Sequence, residues 1–417
     1  MSGEINLQAK LNRTVFQSLL TPQKIYLLLD VKPQGAGAHA PLNVGFVLDR
    51  SGSMAGEKIQ NVREAVRLIL GRMQPQDHLS LVLFDDYVDL LAPNQPLTNL
   101  AQLKAQVNQI VERGGTTMAK GIRKGLEEIR RGSGPTRVSR MILLTDGETY
   151  GDEEECRQLA RECGQAGIPI SAFGLGDEWN ADLLDAIASN SGGQSDHLAA
   201  PEQVIVEFQH TVQAMQGTVA TNASLTLRCV AGVTPTAAWR IVPQISKLDA
   251  RMLSERDVQL QLGELESGTG QSILIELAVL PKGEGAFRLA QAEVTYDLPS
   301  LGAMGERVRK DILVTFTENP TRVTAPDPDM MNLIEKVSVF KLQTRALSEA
   351  EAGNLTLATR QLRTAATRLL SLGEIDLAQA AEQEINNLEQ QGQLSAAGTK
   401  KLHYGTRKLT QRLDEVA

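Results

Sequence analysis

Apolar character runs from Val44 to Leu48 and stops at Asp49, where a polar, glycine-containing stretch begins. A run of that length bounded by a loop predicts a strand buried on both faces of a parallel sheet. Helical periodicity follows, with Ile59, Val62, Ala65, Val66, Ile69 and Leu70 on one face, and predicts a helix over 56–73. Further strands are expected at 79–84, 88–91, 140–145, 168–175 and 195–198, and further helices at 99–112, 118–131, 152–166, 180–190 and 201–215. Strand and helix in turn from 42 to 216 predict an α/β unit, a doubly wound, mostly parallel sheet covered on both faces.

Different patterns flank this unit. Residues 11–31 hold two strand-like runs separated by Thr21-Pro22, and Ile25, Leu27, Leu29 and Val31 keep the period of a half-buried strand. Between 219 and 318 the period is that of strands only, as in Val258, Leu260 and Leu262 or Ile312, Val314 and Phe316. A small antiparallel β-sandwich is expected there. The N-terminal strands have no other sheet to join, so the α/β unit is predicted to be inserted within the sandwich. Pro320, Pro326 and Pro328 mark a linker. Beyond it the chain reads as helical, and Gly353, Gly373 and Gly392 divide it into four helices in antiparallel succession. Leu355, Ala358, Leu362, Ala365, Ala366 and Leu369 form an apolar face suited to a bundle with no embedded site. The expected division is 1–40 (N-terminal sandwich strands), 41–217 (α/β), 218–318 (sandwich), 319–329 (linker) and 330–417 (C-terminal helical domain).

Composition narrows the function. At 417 residues the chain exceeds one ordinary core. A net charge of -8 and 4% aromatic residues argue against nucleic acid as a partner. No apolar run reaches the roughly 20 residues of a membrane span. The start, Met-Ser-Gly-Glu-Ile-Asn, lacks the basic and apolar regions of a secretory signal. Cys156, Cys163 and Cys229 make neither a disulfide framework nor a zinc quartet, so a cytoplasmic protein with reduced thiols is expected. His39, His78, His197, His210 and His403 are scattered, without metal or triad spacing.

The candidate chemistry lies at strand ends. Asp49, Ser51 and Ser53 alternate with Arg50 and Gly52 and supply one carboxylate and two hydroxyls within one turn. Leu143-Leu144-Thr145-Asp146-Gly147-Glu148 is a second apolar strand ending in a carboxylate, and Gly114-Gly115-Thr116-Thr117 opens a helix with hydroxyls. Parallel strands deliver such ends to one edge of the sheet. Asp49, Ser51, Ser53, Thr116 and Asp146 are therefore expected to converge as an all-oxygen set, which suits a hard divalent cation. Taken singly, Ser51 or Ser53 reads as a helix cap and Asp146-Gly147 as a turn. Only the combination points to a metal. Asp152-Glu153-Glu154-Glu155 reads as a complement to a helix dipole, not a second metal site. Arg50 is expected to be exposed, either selecting a partner's charge or merely solvated. Lys400, Lys401, Arg407, Lys408 and Arg412 form a basic set on the last helix, either a solvated face or a dock for an acidic partner or membrane.

These three segments resemble the von Willebrand factor A (VWA) domain family of the bacterial cytosolic type, which is similar to integrin inserted (I) domains. The family's metal-ion-dependent adhesion site (MIDAS) has the pattern Asp-x-Ser-x-Ser, then Thr, then Asp. Phe173-Gly174-Leu175-Gly176 and Ser191-Gly192-Gly193 also stand where the family has such residues. Thr116 is preferred to Thr117 because it follows Gly-Gly and its distance to Gly121-Ile122 matches the family spacing. The resemblance implies that Ser51, Ser53 and Thr116 bind magnesium or manganese directly, with Asp49 and Asp146 often acting through water. An open position would then accept a Glu or Asp carboxylate of a protein partner. The implied function is a non-enzymatic, magnesium-dependent adaptor or scaffold, beside a separate ATPase or signalling partner, since no phosphate-cradling Gly-x-x-x-x-Gly-Lys-Ser/Thr stretch occurs here. One rival is a magnesium phosphohydrolase with Asp49 as nucleophile. Against it, Ser51 stands where haloacid-dehalogenase-like enzymes carry a second Asp, and no nearby lysine is evident. The other rival is a structural protein whose metal site is silent.

Overall fold

The computed structural model of the chain describes residues 5–34 and 40–413, the last two by backbone alone. His39, the Arg412 side chain and most of the Gly/Ala/Pro stretch after Pro33 lie outside the described residues. The chain opens with β1 (Ile5–Leu11), β2 (Val15–Gln17) and β3 (Gln23–Pro33). The α/β unit follows as β4 (Leu42–Asp49), α1 (Glu57–Leu70), β5 (His78–Phe84), β6 (Val88–Pro96), α2 (Leu100–Asn108), α3 (Met118–Gly132), β7 (Val138–Thr145), α4 (Glu153–Gln165), β8 (Ile170–Leu175), α5 (Ala181–Ser191), β9 (Gln194–Leu198) and α6 (Gln203–Gln216). Its sheet runs β6-β5-β4-β7-β8-β9, parallel except for β6 at one edge. The strand expected to stop at 91 continues to Pro96. Pro93 and Pro96 argue against a central strand, but an edge strand tolerates a residue with no N–H to donate.

Every residue of β4 is buried. Val44, Phe46 and Leu48 face a core shared with α1 and α6, and Val47 faces a second core beneath α3, α4 and α5. Gly45 allows α3 to close on the strand, since a Cβ there would lie 2.3 Å from Ile129 Cδ1. The central strand is thus clamped from both sides, and its last residue, Asp49, is carried to the sheet edge at a fixed height.

After α6 a single residue, Gly217, leads to β10 (Thr218–Cys229), β11 (Val233–Val242), β12 (Ser246–Lys247), β13 (Arg251–Met252), β14 (Asp257–Glu266), β15 (Gln271–Val279), β16 (Gly285–Leu298) and β17 (Ala303–Thr317). Two sheets result, ordered β1-β3-β15-β11-β12 and β13-β14-β10-β16-β17-β2. The opening strands therefore belong to both layers of the sandwich, with Leu27, Leu29 and Val31 packed among Leu225, Leu260, Ile273 and Phe316. Strand β1 went unread in the sequence, although Ile5 and Leu7 alternate with polar neighbours and it pairs along its whole length with β3. Too few apolar residues mark it to stand out before its partner is known.

The helices α7 (Pro328–Glu351), α8 (Leu355–Ser371), α9 (Ile375–Gln391) and α10 (Ala396–Arg407) complete the chain. Gly353, Gly373 and Gly392 separate them with φ of 81°, 78° and 73°, where any side chain would be strained. This domain packs on the outer face of the first sandwich sheet, with Trp239, Ile241 and Leu274 against Met330, Val337 and Phe340. The proline-rich segment before it is fastened too, since Thr324 N donates to Val15 O at 3.2 Å and Asp327 N to Asn12 O at 3.0 Å.

The basic set on the last helix is neither a solvated face nor a free dock. The Lys400 ammonium donates to the Asp177 carbonyl at 2.5 Å and lies 4.5 Å from the Trp179 ring centre. Lys408 pairs with Asp196 at 2.5 Å, and Arg407 and His403 converge on Asp185. Tyr404 joins the α/β core beside Trp179, and Arg407 O accepts from Ile245 N of the sandwich at 2.8 Å. Lys401 stays exposed. Residues 400–408 therefore tie all three units together.

Burial alone would push the Asp185 carboxyl up, but the hydrogen bond from His403 and the charge of Arg407 hold it well below the usual carboxylate range. A lowered carboxyl contributes stability at neutral pH that is lost as pH falls below about 4 toward the folded-state value. Asp185→Asn leaves the partly buried Arg407 without its counter-ion and should cost about 2 kcal/mol in urea unfolding at pH 7. Its loss of stability between pH 4 and 2 should be shallower than that of the wild type; parallel acid limbs would contradict this role.

Candidate metal centre

The strand register assembles the site. Asp49 ends β4 opposite Phe84 of β5, and Leu48 is level with Leu144 of β7, so Thr145 and Asp146 leave the sheet beside Asp49. The following turn, Gly52–Met54, is pinned by the fully buried Met54. Two backbone hydrogen bonds fasten the third segment to it, Gly52 N to Gly114 O at 3.0 Å and Arg113 N to Arg50 O at 2.6 Å. Gly115 permits this approach, because a Cβ there would lie 2.6 Å from the Asp86 carboxylate.

Four of the five expected residues form one hydrogen-bonded cluster. Ser51 N donates to Asp49 Oδ1 at 2.7 Å, the Ser51 and Ser53 hydroxyls are 3.0 Å apart, and Ser53 Oγ donates to Asp146 Oδ1 at 2.7 Å. Thr145 Oγ1, not among the expected residues, donates to Asp49 Oδ2 at 2.6 Å. Thr116 makes no hydrogen bond to the other four. It is half-buried on the loop fastened through Gly114, and its carbonyl accepts from Thr149 Oγ1 at 3.3 Å. The Thr117 hydroxyl is already committed to the Asp85 carbonyl at 2.5 Å. Of the paired threonines, Thr116 is the one whose hydroxyl is uncommitted among the described residues.

Neither serine is spent on a helix end. Gly56 precedes α1 without a side-chain cap, and Ser51 makes no capping bond. Glu153, Glu154 and Glu155 occupy the first turn of α4, while Asp152 reaches across to accept from Ala119 N at 2.9 Å at the start of α3.

The charges at this edge are unevenly matched. Asp85, beside the cluster, is paired with Arg50 at 2.7 Å and Arg113 at 3.1 Å. Asp146 has the Lys58 ammonium at 2.5 Å. Asp49 is fully buried and, among the described residues, has no Lys, Arg or His at ion-pair distance; burial pushes its carboxyl up to about 6 against the hydrogen bonds from Thr145 and Ser51. A buried carboxylate without a cation at ion-pair distance, beside a second carboxylate and the hydroxyls of Ser51, Ser53 and Thr116, fits a hard divalent ion. Among the described residues no group of three or more His, Cys, Asp or Glu side chains has a metal-holding arrangement, so the fit rests on hydroxyl oxygens.

Two readings of the sequence need correction. Arg50 is buried, not exposed, and it also contacts Asp89, because the Asp85 carboxylate at the end of β5 needs a counter-ion. Its charge therefore does not face a partner. A lysine does lie close by: Lys58 is nine residues past Asp49 in the first turn of α1, which points back to the sheet edge. Helix direction was the signal that would have found it. Both Asp49 oxygens accept hydrogen bonds, from Ser51 N and Thr145 Oγ1, and the residue itself has no solvent exposure.

The comparisons with known proteins agree with this architecture. Residues 43–209 match the model of the von Willebrand factor type A domain, and residues 328–412 match the Sll0103-like, C-terminal alpha-helical domain. The chain is 27% identical over 333 residues to the uncharacterized protein sll0103 of Synechocystis sp., covering 78% of each. It is 30% identical over 205 residues to inter-alpha-trypsin inhibitor heavy chain H3 of Rattus norvegicus, covering 46% of this chain and only 23% of that one. In structure it is similar to a von Willebrand factor type A protein from Catenulispora acidiphila, with a TM-score of 0.78 at 16% identity over 98% of this chain and 97% of the other. The ArnB paralog VWA2 of Sulfolobus acidocaldarius follows with a TM-score of 0.58 at 16% identity, over 97% and 99%. At such identities the structural likeness speaks for the fold. The chain thus contains, between residues 43 and 209, a von Willebrand factor type A domain, joined to an Sll0103-like helical domain at 328–412.

Proposed function

We propose that this protein is a non-enzymatic adaptor whose Asp49, Ser51, Ser53, Thr116 and Asp146 hold magnesium or manganese and thereby capture a Glu or Asp of a partner protein. The observation that carries the reading is Asp49, a wholly buried carboxylate with no cation at ion-pair distance among the described residues, hydrogen-bonded into a cluster that opens to solvent at Ser53. When bound, the ion supplies a positive centre for an incoming carboxylate oxygen. The chain's own part is to set the charge around it. Asp49 and Asp146 contribute two negative charges and Lys58 returns one, so a divalent ion leaves the site with a net positive charge that favours an acidic side chain. The serine and threonine hydroxyls donate oxygen without adding charge. Tyr150, 80% exposed, stands four residues beyond Asp146 as an apolar contact for a protein surface.

No helix among the described residues is long and apolar enough to cross a membrane. Cys156, Cys163 and Cys229 are buried and unpaired, which supports a reducing, cytoplasmic setting for this adaptor; an ATPase or signalling partner would be a separate chain.

Ser51→Ala/Ser53→Ala should weaken magnesium binding at least about 100-fold by calorimetry, or about 2.7 kcal/mol. In affinity capture the same variant should lose any protein that the wild type retains with magnesium and releases with chelator. Equal ion affinity in both proteins would remove the proposal. Asp49→Asn should raise stability in chelator by about 1–2 kcal/mol, since a buried charge is gone, while abolishing the magnesium-dependent rise in melting temperature. Lys58→Met should tighten magnesium about tenfold by deleting a competing cation, and yet weaken partner capture; unchanged ion affinity would show that Lys58 has no such part.

A further inference from the structure

A cavity of about 410 Å³ lies where the three units meet, at the sheet edge opposite the Asp49 cluster. The starts of β7, β8 and β9 form one wall, β11, β14 and β15 another, and Lys408 and Gln411 close it from the C-terminal side. Most charges around it cancel. Arg140 pairs with Glu264, and Lys408 with Asp196.

Arg240 is the cation left over, with Glu207 and Glu266 as the acids left over in the same lining. It is 7% exposed, lines the cavity, and has no carboxylate within ion-pair distance among the described residues. Its Nε donates to Gln271 Oε1 at 3.0 Å and its Nη2 to the Leu262 carbonyl at 3.0 Å, both neutral acceptors. Gln271 is itself held by the Leu262 and Glu264 carbonyls, each at 2.8 Å, so the guanidinium is fixed in place. A guanidinium has five N–H donors, and most of this one's are unmatched. Burial alone draws its pKa down to about 10, the mark of a cation kept from water without a counter-ion. Such a charge is costly to keep, and an anion arriving in the cavity would remove the cost.

We propose that this interdomain cavity binds a small molecule through one oxyanion head, a carboxylate or a phosphate monoester, received by Arg240. The remainder of the ligand is neutral or cationic. Among the described residues Glu207 and Glu266 line the cavity without a Lys or Arg at ion-pair distance, Glu207 having only His210 at 3.9 Å, and burial raises both carboxyls, so a second anionic group would be repelled. Walls drawn from all three units mean that the occupant would brace the arrangement of the domains, and that occupancy can be read as thermal stability.

The test uses the full chain in chelator, with butyrate, alanine and glycerol phosphate as probes and succinate as the doubly charged control. The wild type should show a concentration-dependent rise in melting temperature and a calorimetric signal with a carboxylate probe, the phosphate probe or both, and a weaker one with succinate. Arg240→Met should bind the same probe at least tenfold more weakly, yet be no less stable than the wild type without probe. Arg240→Lys keeps the charge without the planar fork, guards against misfolding, and should also bind more weakly. Ser51→Ala/Ser53→Ala should respond like the wild type, which separates this site from the metal centre. No response of the wild type to any probe at millimolar concentration, or an equal response of Arg240→Met, would overturn the proposal. A response lost in Ser51→Ala/Ser53→Ala would overturn it as well.

Discussion

Ending a wholly buried strand in a carboxylate is the constraint from which the rest of the α/β unit follows. Strand β4 is clamped between two cores, so Asp49 can neither retreat nor reach water. Its oxygens are met by one backbone N–H and one hydroxyl, which soften the burial without cancelling the charge. The neighbouring acids are treated differently: Asp85 has two arginines and Asp146 has a lysine. That uneven neutralisation leaves one carboxylate without a cation at ion-pair distance, which is the basis of the proposed ion site.

The same logic of matched and unmatched charge organises the rest of the molecule. Residues of α10 and the turn after it bring Arg407 to Asp185 and Lys408 to Asp196, so the helical domain is fixed to the α/β unit by neutralised pairs. Across the sandwich boundary Arg140 meets Glu264. Arg240 alone among these interdomain arginines lacks an acidic partner, and it faces open space. Unmatched charge thus occurs at both ends of the sheet, a carboxylate at the carboxyl edge and, at the other, an arginine set among two carboxyls that it does not contact.

The rigidity of the frame matters for both sites. A hydroxyl is a weak ligand, and as ligands of the proposed ion Ser51 and Ser53 would gain from being held 3.0 Å apart by a turn anchored on the buried Met54. The Gly114-Gly115 loop can lie against that turn because neither residue carries a Cβ to strike Asp86. Likewise, Gln271 holds Arg240 in one orientation, which spares a ligand the entropy of ordering a long side chain.

Much of this was legible in the chain. The apolar run into Asp49, the second run into Asp146 and the serines between them are local patterns, and parallel pairing brings strand ends together whatever the details of packing. The three glycines that separate the C-terminal helices are equally local. Other features depend on groups far apart in sequence. Arg50 faces Asp85 because β5 lies beside β4, Lys58 reaches Asp146 because α1 folds back over the sheet edge, and Lys400 is claimed by a backbone carbonyl, Arg407 and Lys408 by acids, some two hundred residues earlier. Strand β1 gains its identity from β3, and the isolation of Arg240 exists only once three units enclose a cavity. Periodicity and strand-end chemistry are written in neighbouring residues, whereas which charge meets which is settled by distances that only packing creates.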